Sequence, residues 1–96
     1  MNEFFENLGR DWVAAAERRG ARITAPSLDS RVALELLELA RVTAHTQERR
    51  FAPLSSYLAG VAAERLRAAR GEVDDGEVAA FIQEVRMKLE REVPGL

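Results

Sequence analysis

The chain is expected to fold as an all-α, four-helix, mostly antiparallel bundle, and three observations point there. Apolar residues recur at spacings of three and four in four separate stretches, no stretch alternates with a period of two, and the stretches are separated by short segments rich in glycine, proline or charge. With 96 residues, a single helical domain over 1–96 is the expected organisation.

The first helix is expected over about Glu3–Arg19, with Asn2 as N-cap. Phe5, Leu8, Trp12 and Ala16 form its apolar stripe, flanked by Phe4, Val13 and Ala15, with Glu3, Glu6, Arg10 and Glu17 opposite. Phe5 and Trp12 are expected to close the core, whereas Phe4 sits at the edge of the arc. Gly20 stops the helix, after two arginines suited to the negative end of its dipole.

Pro26 disfavours helix at Ala25, so a connector is expected over 20–28, with Ser27 or Asp29 capping a second helix that runs to Thr46. Val32, Ala33, Leu36, Leu37, Leu39, Ala40, Thr43 and Ala44 make a wide apolar arc. Leu34 and Val42 fall outside it, which makes this helix the expected centre of the fold. After a polar connector over 46–52, Pro53 is placed where a helix can begin without losing a hydrogen bond. The third helix then extends to Arg70, with Leu54, Tyr57, Leu58, Val61, Ala62, Leu66 and Ala69 expected inward. Its low-bulk stretch Ala59–Ala63 contains Gly60. A mid-helix glycine costs about 1 kcal/mol relative to alanine, and close helix packing is the usual compensation.

Gly71 ends the third helix. Asp74 followed by Glu77 is an acidic form of the capping box. The fourth helix carries Val78, Phe81, Ile82, Val85 and Leu89 on one stripe to about Glu92, and Pro94 and Gly95 close it.

Composition narrows the function. There is no cysteine, which removes disulfides, thiolate metal sites and a cysteine nucleophile. The net charge of −2 is uneven: residues 1–40 carry −2, 41–70 carry +4 and 71–96 carry −4. An acidic chain argues against general nucleic-acid binding, and the third helix begins Pro-Leu-Ser-Ser-Tyr-Leu, with no basic residue at a reading end. The amino-terminal residues lack a signal-peptide pattern, and no apolar run approaches the roughly 20 residues of a bilayer span. A cytoplasmic location, with no membrane association, is the expectation.

Phosphate-loop, dinucleotide, zinc-protease and nucleophile-elbow motifs do not occur. His45 is the single histidine, and the residue three before it is Val42, so the Glu-x-x-His pattern of carboxylate metal bundles fails. Glu35 and Glu38 read as a solvated face. No metal or cofactor is expected, and no enzymatic activity. His45 suits the free carbonyls at the end of its helix, or a pocket in the connector. Arg41, one turn before it, and Arg49 in the connector complete a possible anion-binding trio, since guanidinium groups pair readily with phosphate. Phe4, Arg50, Phe51 and Gly60 are the candidate partner-contact residues.

The stretch Leu36-Leu37-Glu38-Leu39-Ala40-Arg41, then Ala44-His45, Glu48-Arg49, Ala52-Pro53-Leu54 and Tyr57-Leu58-Ala59-Gly60 resembles a small, uncharacterised bacterial all-helical domain family with an AH…APL motif. Members of that family occur alone or appended to molybdenum-cofactor guanylyltransferase-like proteins. The match spans about residues 34–63, and Arg50-Phe51 stands where the pattern has a proline and a small residue. The resemblance singles out His45, Arg49 and Pro53 but implies no catalytic role. It implies a link to molybdenum-cofactor biosynthesis or molybdoenzyme assembly. The expected function is therefore a non-enzymatic interaction or accessory module with a protein partner, possible partners being a molybdoenzyme or its maturation factor. A homodimer through the Gly60 helix, or through Phe4 and Phe51, is a compatible expectation. The alternative is a module that binds phosphate, a nucleotide or a pterin through the basic connector.

Overall fold

A computed structural model describes residues 2–92. The chain is all-α: α1 spans Glu3–Arg18, α2 Ser30–Thr46, α3 Ala52–Arg70 and α4 Asp75–Glu92, with a 3₁₀ turn over Arg49–Phe51 and no strand among the described residues. Pro94 and Gly95, expected to close α4, lie outside the described residues. The chain divides into two compact units, one reaching to Ser30 and the other starting at Arg31.

The first unit consists of α1 and the extended segment after it. The Asn2 side chain accepts the Phe5 N–H at 3.2 Å, as an N-cap should. Gly20, at φ +80°, takes the left-handed conformation that lets the chain leave the helix. Gly9 is the buried residue of α1: a Cβ there would stand 2.7 Å from the Pro26 carbonyl oxygen. The glycine thus lets the returning backbone lie directly on the helix. Phe5, Leu8 and Trp12 line a shallow hollow beside Pro26 and Leu28 but do not close a core. Trp12 is 56 % exposed and Phe4 65 %. The inward placement expected for Phe5 and Trp12 is thereby corrected: the segment over them is narrow and covers chiefly the helix backbone at Gly9.

The second unit is built from α2, α3 and α4. Leu39, Ala63, Val73, Val78 and Ile82 form its core, with Val32, Leu36, Ala59, Leu66 and Leu89 packed against it. The stripe expected on α4 is largely the one buried. On α3 the expectation was too broad. Ala59, Ala63 and Leu66 face the core at helical spacing, while Leu54, Tyr57 and Leu58 lie on another arc and are 60 %, 72 % and 66 % exposed. On α2, Val42 is fully buried although it falls outside the arc read from sequence, and Leu37 is exposed although it falls inside. Leucine and alanine occupy so much of that helix that composition does not mark its inner face.

The link between α3 and α4 is short and well fastened. Gly71, at φ +87°, turns the chain out of α3 and donates its N–H to the Arg67 carbonyl. Asp74 Oδ1 accepts the Glu77 N–H at 2.8 Å, forming half of the expected capping box. The Glu77 carboxylate instead accepts from Arg70 at 2.9 Å, and Arg67 reaches Asp75 and the Val73 carbonyl. The basic end of α3 is thus tied to the acidic start of α4, one consequence of the segmental charge pattern.

Candidate functional site

The connector singled out by sequence begins where α2 ends. The Gln47 N–H donates to the Thr43 carbonyl, and the Phe51 N–H donates to that of Glu48, closing the 3₁₀ turn. This turn precedes α3 and places Pro53 just inside the first turn of the helix, where a missing N–H removes no intrahelical bond. His45 is exposed in the last turn of α2, and Arg49 is exposed in the 3₁₀ turn. Neither takes part in an ion pair among the described residues. Arg41 differs: it binds Glu38 at 2.9 Å and approaches Glu90 of α4 at 3.6 Å. Arg50 pairs with Glu48 at 2.7 Å, and its guanidinium carbon lies 5.9 Å from the centre of the Phe51 ring. Of the anion trio, Arg41 is already engaged by carboxylates, while His45 and Arg49 face solvent.

A polar centre that sequence reading missed lies at the other end of Arg41's contacts. Arg86 of α4 reaches Glu35 of α2 with Nε at 3.3 Å and Nη2 at 3.0 Å, and binds Glu90 through Nη1 at 2.9 Å. The Arg86 and Glu35 side chains are only 15 % and 12 % exposed. Glu35 is therefore not part of a solvated face. Its hydrogen bonds, followed by those of Glu90, hold the Arg86 guanidinium above its ordinary pKa, against the opposing effect of burial. The one local signal was the i,i+4 spacing of Arg86 and Glu90; the partner on α2 is 51 residues away. The network joins α2 to α4.

An apolar groove of about 280 Å³ lies between α3 and α4, floored by Leu39 of α2. Leu58, Ala59 and Ala62 form one wall, and Phe81, Val85 and Leu89 the other. Leu58 and Val85 stand on its rim, the latter 49 % exposed. The groove has no charged lining residue. Sequence reading placed Leu58 and Val85 in the core because their spacing matches that of the residues actually buried.

Gly60 is exposed, and a Cβ built on it meets nothing within 4 Å. The close internal packing expected around this glycine does not occur. Among the described residues no group of three or more metal-ligating side chains is assembled, and no helix is long and apolar enough to cross a membrane.

These features define a small all-α protein whose three-helix unit carries an open apolar groove and a cross-helix ion network. The chain belongs to the family described as domain of unknown function DUF6457, whose profile matches residues 6–93. Comparison with curated proteins and with solved structures finds no match.

Proposed function

We propose that this protein is a non-enzymatic helical interaction module that docks a partner protein in the groove between α3 and α4. The observation that carries the reading is the groove itself: an uncharged channel of about 280 Å³ with Leu58 and Val85 held open to solvent at its rim. Exposed apolar surface of this kind is costly in a free monomer and marks contact sites. Its walls are two helices joined by a short link, a geometry suited to a partner helix bearing an apolar stripe. The resemblance around the AH…APL stretch suggests the setting, an accessory role in molybdenum-cofactor biosynthesis or molybdoenzyme assembly in bacteria.

The test is direct binding between purified chain and purified candidate, beginning with a molybdoenzyme and a cofactor guanylyltransferase-like protein. A stoichiometric complex with one of them, lost on Val85→Glu while far-UV circular dichroism is unchanged, is the expected result. Binding that is indifferent to Val85→Glu and to Leu58→Glu overturns the groove as the docking site.

A second reading, anion binding at the connector, draws on exposed Arg49, which has no ion-pair partner among the described residues, next to His45. Arg41 would have to leave Glu38 to join them. Calorimetry with phosphate, GTP and a pterin, repeated on Arg49→Ala, tests this reading. Heat that is lost in the variant supports it, and no heat in either protein refutes it.

A further inference from the structure

We draw no further inference here: the strongest candidate, the exposed apolar stripe that Phe4, Leu8 and Trp12 form along α1, is an unpartnered helix face, and nothing in the structure shows what covers it.

Discussion

Replacing Arg86 by alanine should be among the most damaging single changes at a polar position of this chain. Arg86 binds Glu35 at 3.0 Å and Glu90 at 2.9 Å, with the Arg86 and Glu35 side chains 15 % and 12 % exposed. A hydrogen bond to a charged group contributes about 1.5–3 kcal/mol net, and breaking a fully buried ion pair costs about 3–5 kcal/mol. Solvent reaches part of this network, through Glu90 above all, so the upper figure must be reduced, to about 2–3 kcal/mol. The penalty arises because Glu35 and Glu90 remain near each other without the cation between them, and because the arginine stem no longer packs. With a urea m-value of about 1 kcal/mol/M for a chain of this size, the unfolding midpoint should fall by roughly 2–3 M. The melting temperature should drop by about 10–20 °C. The double variant Arg86→Met with Glu35→Leu should recover to within about 1 kcal/mol of the unmodified chain, because a well-packed apolar pair replaces a desolvated ionic one. A double-mutant cycle should give a coupling of at least about 1.5 kcal/mol. The sign of the pH dependence follows from the raised Arg86 pKa. A group whose folded pKa is raised contributes fully below its unfolded value and loses that contribution only above the folded one. Titration of Arg86 itself should therefore cause no loss of stability between about pH 6 and 10. A cost below about 0.5 kcal/mol for Arg86→Ala, or additive single effects, would refute the claim that this network joins α2 to α4.

Two glycines should respond in opposite directions. Gly60→Ala should stabilise the monomer by about 0.5–1 kcal/mol, since nothing opposes the new methyl group and helix propensity improves. Urea unfolding at low micromolar concentration reads this gain. Gly9→Ala should instead cost about 1–3 kcal/mol, because its Cβ would press on the Pro26 carbonyl and the backbone must move. Faster hydrogen exchange along α1 and over residues 25–28 is the expected readout. Asp74→Ala should cost about 1 kcal/mol by removing the bond to the Glu77 N–H, whereas Asp74→Asn should retain most of that stability; thermal unfolding distinguishes the two.

Local chemistry determined most of what was legible without coordinates. Helix limits follow from Asn2, Gly20, Gly71 and Asp74, which act on the backbone within a few residues and need no distant partner. The all-α class and the buried stripe of α4 follow from periodicity. His45 ends α2, Arg49 lies in the 3₁₀ turn and Pro53 in the first turn of α3, but sequence could not reveal that Arg41 is occupied by Glu38 and Glu90.

Tertiary structure alone decided which of several equally apolar arcs turns inward. On α2 and α3, leucine and alanine surround so much of the helix that burial is set by the neighbouring helices; Val42 and Ala63 are inside while Leu37 and Leu58 are outside. The Arg86–Glu35 pair joins residues 51 positions apart, a proximity that no local periodicity encodes. Gly60 shows the limit most plainly. Its low bulk is visible in the sequence, but only the packing reveals that the space beside it opens away from the chain's own core, because a helix carries its small residues on whichever face its partners require.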